Sequence, residues 1–234
     1  MYWVLFKMNI EEYPNLNRIV YNDFNPLNVN LFKCIKCHEK LLESCNKVIV
    51  QQKGDTQTSP ECRETFNRIQ SKIFDSKFIV PIEPDYELAA EYALVLTNVF
   101  SGSNPSKAKF IDLKGKYHSK FTSFKNKLSN PKWQKLFESI TDVENMDFQD
   151  VIEKYDSPTT YFYCDPPYVH ETRGDISSYG YEMDNSSHVE LANKLNNIQG
   201  LAAISNYDCD LMNDLYPSTK WFKHYSEPKT IHST

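Results

Sequence analysis

The sequence predicts an α/β fold whose strands form a parallel sheet and whose middle part is a helical insert. Short apolar runs at 19–21, 161–164 and 201–205 have the composition of strands, and predicted helices separate them. Strands separated by helices need crossover connections and therefore pair in parallel. An acid follows each of the first two runs closely, at Asp23 and at Asp165. Because ligands of parallel sheets bind at the carboxyl ends of the strands, we expect the functional site there.

Length and composition narrow the class of protein. A chain of 234 residues can bury a substantial core, so one domain, or one domain with an insertion, is expected. No apolar run is long enough for a membrane span, and residues 1–6 lack the basic leader and cleavage site of a signal peptide. The six cysteines are scattered, which favours reduced thiols over a disulfide framework. These observations predict a cytoplasmic protein in a reducing compartment, with no membrane partner.

The first predicted strand, 19–21, ends at Asn22-Asp23 and precedes a predicted helix over 27–42. Leu27, Leu31 and Ile35 lie on one face of that helix, and Leu41 is a further candidate for the same face. An acid between a strand and a helix is typical of nucleotide-binding α/β folds, where the carboxylate binds ribose hydroxyls. A helix-capping role explains the position of Asp23 equally well.

A C-x-x-C-H sequence, Cys34 to His38, lies inside this predicted helix. Such spacing occurs in haem attachment and in zinc sites. Haem attachment needs an exported chain, and a zinc site needs two more ligands at suitable spacing, for which Cys45 and Cys62 are poor candidates. We therefore expect packing cysteines and no metal.

The middle of the chain is predicted to be helical over 61–77 and 87–100 and is then strongly basic. Residues 107–135 carry nine lysines against one acid, Asp112, with aromatic residues interleaved. Such a segment is an electrostatic signature of nucleic-acid binding, although a solvated surface with inward-pointing aromatics gives the same pattern. The candidate DNA contacts are Lys114, Lys116, Lys120, Lys125, Lys127 and, beyond the second strand, Arg173.

The sequence around the 161–164 strand carries the most specific chemical pattern. Three aromatic residues and a cysteine predict a short buried strand, which runs into Asp165-Pro166-Pro167-Tyr168. The two prolines fix two φ angles and prevent the strand from continuing into a helix. The turn therefore presents a carboxylate, a carbonyl and an aromatic ring in a fixed array that suits a flat molecule bearing an amino group. Asp147 precedes Asp165 by one helix and one strand, so both acids are predicted to follow strands at one edge of a parallel sheet.

These motifs resemble those of the Dam-like, D12 class of N6-adenine DNA methyltransferases. Asp165-Pro-Pro-Tyr168 is similar to the catalytic motif of that family, and the Tyr21 to Pro26 sequence to its second motif. Asp147-Phe148 resembles the third motif, and 201–208 resembles the strand and loop after the catalytic motif. Residues 165–183 are most similar to the phage and virus branch of the family.

The resemblance implies a Rossmann-like S-adenosylmethionine-dependent methyltransferase with a helical DNA-recognition insert. The catalytic domain would comprise 1–45 and 138–234, and the partly basic target-recognition insert 46–137. The enzyme would methylate the N6 amine of an adenine in duplex DNA, inside a bacterial or virus-infected cell. A restriction endonuclease is a further partner that such enzymes can have.

The same resemblance implies a role for each motif. Asp23 would bind the cofactor ribose, and Asp147 with the Phe148 backbone would bind the cofactor adenine. Asp165, which also lies near the sulfonium, and the Pro166 carbonyl would accept the two amine hydrogens of a flipped target adenine. Pro167 would stiffen the turn, and Tyr168 would stack on the flipped base.

The sequence also departs from the family pattern in two places. The glycine-rich loop that holds the methionine part of the cofactor is expected ahead of Met1, and a closing strand is expected after Thr234. These departures predict an incomplete catalytic domain that binds S-adenosylmethionine weakly alone and needs an N-terminal segment or a split partner. A non-catalytic DNA-binding remnant, or a methyltransferase acting on RNA or a protein amide, is the alternative.

Overall fold

The structure is a computed structural model that describes residues 13–48, 60–98, 104–107, 109–110, 120–173 and 180–226. The described chain divides into two compact units. The first holds the described residues up to Lys154 together with 180–182, and the second holds 155–173 and 183–226. Within these residues, no helix has the length and apolar character to cross a bilayer.

The first unit is mainly helical and contains one pair of parallel strands. Its elements are β1 (Val20–Asn22), α1 (Pro26–Ile35), α2 (His38–Val48), α3 (Pro60–Ile73), α4 (Tyr86–Thr97), a 3₁₀ turn (Pro105–Lys107), α5 (Lys120–Leu128), α6 (Pro131–Glu138), β2 (Asp142–Glu144) and α7 (Phe148–Tyr155), whose last residue belongs to the second unit. Val20 pairs with Asp142 and Asn22 with Glu144. The two strands are therefore in register up to their carboxyl ends.

Helix α4 is the centre of the core of the first unit. Apolar residues occur on most of its surface, and α1, α2 and α3 all pack against it. A helix that is apolar on nearly every side is stable only when it is surrounded. Asp85 caps its first turn by accepting a hydrogen bond from the Leu88 amide at 2.9 Å. The predicted helix over 87–100 is thus confirmed, with its described end at Thr97.

The single helix predicted over 27–42 is wrong, because the structure has two helices there. The Cys37 amide bonds to the Cys34 carbonyl at 3.1 Å, a tight turn that ends α1 before α2 begins at His38. The predicted apolar face is nevertheless buried on both sides of this break, at Leu31 and Ile35 before it and at Leu41 after it. Periodicity therefore identified the buried side chains correctly and missed the change between the two helices.

The second unit contains the other pair of parallel strands. Its elements are β3 (Tyr161–Cys164), a 3₁₀ turn (His170–Thr172), α8 (Asn185–Leu195), β4 (Leu201–Ile204) and α9 (Asp210–Leu215). Tyr161 pairs with Leu201 and Cys164 with Ile204. The connection from β3 to β4 passes through α8, as a parallel pair requires. The described strands thus form two two-stranded parallel sheets.

The prediction that β3 is buried is wrong on one of its faces. Tyr161 is 62% exposed and Tyr163 is 38% exposed. Alternate side chains of a strand point to the same face, so these two rings share a face that the described residues leave largely open. An aromatic strand composition does not distinguish a strand covered on both faces from one covered on a single face.

Candidate catalytic turn and strand-end loops

The Asp165-Pro166-Pro167-Tyr168 turn begins immediately after β3, where the sequence predicts it. The Ser205 amide bonds to the Cys164 carbonyl at 3.0 Å, which continues the β3–β4 pairing one residue beyond the strands. Ser205 therefore lies beside Asp165, and its hydroxyl donates to Asp165 Oδ1 at 2.6 Å. The Asp165 side chain is exposed, so a ligand in solution can reach the carboxylate.

The loop after β4 holds the other end of the turn. The Val169 amide donates to Asn206 Oδ1 at 3.4 Å, and the Val169 side chain is fully buried. The Tyr168 ring contacts the Tyr207 ring edge to face, with 4.9 Å between ring centroids. Three consecutive residues, Ser205 to Tyr207, thus contact the turn at its start and at its end.

A buried histidine lies next to the turn. His188, in the first turn of α8, is 1% exposed, and neither ring nitrogen has a hydrogen-bond partner in the described part of the chain. Burial lowers the pKa of His188, and electrostatic interactions with His170 and Arg173 lower it further, against opposing effects of Asp184 and the Pro167 backbone. Arg173, a predicted DNA contact, is therefore close to the catalytic turn.

In the first unit, Asp23 follows β1 and is held in one conformation. Its carboxylate accepts hydrogen bonds from the Tyr21 hydroxyl at 2.7 Å, the Asn25 amide at 2.8 Å and the Asn28 side chain at 2.8 Å. Helix α1 is capped by Asn25, whose side chain accepts from the Leu27 amide. The alternative in which Asp23 caps this helix is therefore wrong.

A tyrosine from the helical middle of the chain supports this loop. The buried Tyr92 of α4 donates to Asn28 Oδ1 at 2.9 Å and accepts from Asn25 Nδ2 at 3.2 Å. Asn28 in turn binds Asp23. The position of the Asp23 carboxylate is thus set by a chain of hydrogen bonds that begins in α4.

Asp147 follows β2, the strand that pairs with β1. The Asn22 side chain donates to the Met146 carbonyl at 3.1 Å and accepts from the Met146 amide at 3.0 Å, which joins the two strand ends. Asp147 then caps α7 by accepting from the Gln149 amide at 2.9 Å, and Phe148 is the first residue of that helix. The structure therefore brings the Asp23 and Asp147 loops to the carboxyl ends of neighbouring parallel strands.

The described part of the predicted DNA-binding segment comprises Lys107, residues 109–110 and residues 120–135, which include α5 and most of α6. Lys114 and Lys116 lie outside the described residues. Lys127 Nζ lies 4.9 Å from the centroid of the Trp133 ring, and Lys125 Nζ lies 5.7 Å from that of Phe121. Phe121 is buried in the core, whereas Lys127 is exposed and the Lys125 ammonium donates to Asn46 Oδ1 at 3.3 Å. The position of Phe121 agrees with the alternative interpretation of the aromatics.

Of the cysteine pair, Cys34 is part of the helical core, whereas Cys37 is partly exposed in the turn between α1 and α2. Cys34 is fully buried, and burial raises the pKa of its thiol to about 12. Its thiol donates to Asn30 Oδ1 at 3.8 Å. In the described ranges, no group of three or more histidine, cysteine or acidic side chains is arranged to hold a metal ion.

The site residues that the sequence prediction missed are Ser205, Asn206 and Tyr207. A signal was present, because a polar run directly follows the predicted 201–205 strand. Neighbouring parallel strands present their carboxyl ends at the same edge. Polar residues that follow one strand are therefore candidates to contact a catalytic turn that follows the neighbouring strand.

These features define an α/β protein whose reactive side chains follow parallel strands, and its most distinctive part is an Asp-Pro-Pro-Tyr turn that begins with an exposed aspartate. The model of the D12 class N6 adenine-specific DNA methyltransferase family matches residues 5–232, so the chain belongs to that family. No match was found among individual curated proteins. The family methylates the N6 amine of adenine in DNA, and methyltransferases of this kind generally use S-adenosylmethionine. The assignment to the phage and virus branch stays a prediction.

Proposed function

We propose that this chain transfers a methyl group from S-adenosylmethionine to the N6 amine of an adenine in DNA, as a Rossmann-like methyltransferase. The proposal is carried by one observation, the exposed Asp165 carboxylate at the start of a turn that is stiffened by two prolines and anchored by the loop after β4. Family membership supplies the reaction class. The turn supplies the groups that make an amine reactive.

Asp165 and Pro166 activate the amine in this proposal. The lone pair of the adenine amine is delocalised into the ring, which makes it a poor nucleophile. The Asp165 carboxylate accepts one amine hydrogen, the Pro166 carbonyl accepts the other, and the nitrogen becomes more tetrahedral with its lone pair directed outward. The proton that the nitrogen loses on methylation leaves through the Asp165 carboxylate. Fixed acceptors act mainly by positioning and electrostatics.

Tyr168 receives the base. An adenine that is paired and stacked in a duplex cannot place its amine against Asp165 and its ring face against Tyr168. The base therefore leaves the stack, at a cost of about a few kcal/mol. Stacking of the Tyr168 ring on the flipped base offsets part of that unstacking free energy. The contact with Tyr207, at 4.9 Å between centroids, keeps the Tyr168 ring oriented for stacking.

The loops after β1 and β2 suit the nucleoside part of the cofactor. The Asp23 carboxylate has about four acceptor positions and accepts three hydrogen bonds from the protein, which leaves capacity for a ribose hydroxyl. Asp147 and the Phe148 backbone bind the adenine of the cofactor. When bound, the cofactor supplies an electrophilic methyl group.

The basic middle of the chain binds the DNA backbone. Lys120, Lys125 and Lys127 on α5, with Lys114, Lys116 and Arg173, contact phosphates, which attract protein without regard to sequence. Residues 46–137 act as the target-recognition insert, and 1–45 with 138–234 carry the chemistry.

The test is transfer of a tritiated methyl group from S-adenosylmethionine to duplex DNA, with RNA and protein as alternative acceptors. We expect transfer to duplex DNA, and we expect Asp165→Ala to reduce it by about 10²-fold or more. Asp208→Ala is the matched control, because Asp208 is also an exposed acid at a strand-end loop but binds Asn213 within its own segment. Full activity of Asp165→Ala would refute the proposed chemistry. Salt-sensitive duplex binding without any transfer would instead identify a non-catalytic DNA-binding remnant.

A further inference from the structure

We infer that Ser205 is a positioning residue, which orients the Asp165 carboxylate toward the amine that is methylated. The inference rests on the proposed function and adds a residue to it. Its basis is the hydrogen bond from the Ser205 hydroxyl to Asp165 Oδ1 at 2.6 Å. A distance in this range is typical of a hydroxyl that donates to an ionised carboxylate, and such bonds are stronger than those between neutral groups.

The donor is itself held by the sheet. Cys164 pairs with Ile204 in the β3–β4 register, so Asp165 and Ser205 are the next residues along the two parallel strands. The Ser205 amide bonds to the Cys164 carbonyl at 3.0 Å. The Ser205 backbone therefore cannot move away from Asp165 without breaking this additional rung of the ladder.

The bond from Ser205 matters because of where its acceptor lies. Asp165 is exposed, and an exposed aspartate changes its side-chain rotamer on the timescale of picoseconds to nanoseconds. The Pro166 carbonyl, by contrast, belongs to a backbone that two prolines make stiff. Both acceptors must be in place at once to draw the amine out of conjugation. The Ser205 bond gives the carboxylate a fixed orientation that matches the fixed orientation of the carbonyl.

The chain offers a matched control for this bond. Ser186 also donates its hydroxyl to an aspartate, with 2.8 Å between its Oγ and Asp184 Oδ1, at the start of α8. That pair stabilises a helix start and is not part of the catalytic turn. Removing the Ser186 hydroxyl deletes the same chemical group from the same unit without changing Asp165.

The experiment compares Ser205→Ala, Ser205→Thr and Ser186→Ala with the parent chain. We expect Ser205→Ala to lower kcat about 10- to 100-fold with the KM for DNA nearly unchanged, because the hydrogen bond matters once the base is bound. Ser205→Thr keeps a hydroxyl and is expected to recover most of kcat. Ser186→Ala is expected to leave kcat unchanged. Thermal unfolding of each variant checks that the fold is retained.

A second measurement reads the hydrogen bond without relying on activity. The side-chain carboxyl ¹³C resonance of Asp165 at pH 7 is expected to move in Ser205→Ala, to return in Ser205→Thr and to stay in place in Ser186→Ala. An unchanged resonance in Ser205→Ala would overturn the inference. A shifted resonance with unchanged kcat would overturn the positioning role while leaving the proposed function intact. A parent chain without transferase activity would overturn the proposed function and the catalytic role of Ser205 together, whereas the resonance would still decide whether Ser205 orients Asp165.

Discussion

Substitution of Gly200 by alanine is expected to destabilise the second unit strongly. A Cβ atom at Gly200 would lie 2.3 Å from the Thr160 carbonyl oxygen and 2.8 Å from the Ser157 carbonyl oxygen. Nonbonded heavy atoms attract at about 3.5 Å, so the Cβ would be roughly 1 Å too close to the nearer oxygen. Both oxygens belong to the backbone and cannot swing aside as a side chain would.

The magnitude follows from what must move. The Thr160 carbonyl accepts from the Leu201 amide at 2.9 Å, and Asp156 Oδ1 accepts from the Gly200 amide at 3.1 Å. Overpacking of a tight site costs about 1–3 kcal/mol, and each weakened hydrogen bond adds about 1 kcal/mol. We therefore expect Gly200→Ala to lower the free energy of unfolding by about 3–5 kcal/mol, measured by urea denaturation followed by circular dichroism.

Gly180→Ala is the matched control for this substitution. The nearest atom to a Cβ there is the side-chain Oδ1 of Asn104 at 3.8 Å, an ordinary van der Waals contact. Because alanine has fewer unfolded conformations than glycine, the control should be neutral or more stable by up to about 1 kcal/mol. Equal effects of the two substitutions would show that the close approach of Gly200 to the 157–160 turn does not exist.

Three further predictions address the buried histidine, the helix cap and the basic segment. The pKa of His188 is lowered in the folded chain, so below the ordinary value of 6.5 the unfolded chain binds a proton that the folded chain does not. The free energy of unfolding therefore falls as the pH drops below 6.5, by at most about 1.4 kcal/mol per pH unit. Replacement by phenylalanine should flatten this part of the stability–pH curve, and an unchanged slope would contradict the assignment. Asn25→Ala should lower the free energy of unfolding by about 1 kcal/mol and Asn25→Ser by much less, because serine retains a cap acceptor for α1. Lys127→Ala should reduce the slope of log affinity for duplex DNA against log salt by about 0.9, measured by fluorescence anisotropy. Lys72→Ala, whose ammonium pairs with Glu91 at 2.7 Å, should leave that slope unchanged.

The sequence was a good guide wherever a local pattern determines structure. The strand–acid–helix order at Asp23 and the strand–turn order at Asp165 are both present in the structure. Their causes act within a few residues, since composition favours the strand and the prolines of the turn end it. Local composition also predicted α4 correctly, because a helix that is apolar on nearly every side must be buried.

The sequence was a poor guide where distant residues decide. Asn25 rather than Asp23 caps α1, and the Asn25 and Asn28 side chains are held by Tyr92, which is 67 and 64 positions away. The exposure of Tyr161 depends on what covers one face of β3, which composition does not specify. The contact of Ser205 with Asp165 joins residues 40 positions apart and follows only from the pairing of β3 with β4.

The Tyr92 hydroxyl has a consequence for attempts to change the DNA sequence that such a chain recognises. Under the proposed function, an obvious strategy is to transplant the proposed target-recognition insert, residues 46–137, between relatives as a cassette. Tyr92 would travel with the cassette, yet its two hydrogen-bond partners, Asn25 and Asn28, would stay in the recipient. A transplant that omits this tyrosine would loosen the loop that presents Asp23. A successful chimaera should therefore have a tyrosine at position 92. Alternatively, the junctions can be placed in the loops that flank α4, so that the recipient keeps its own helix.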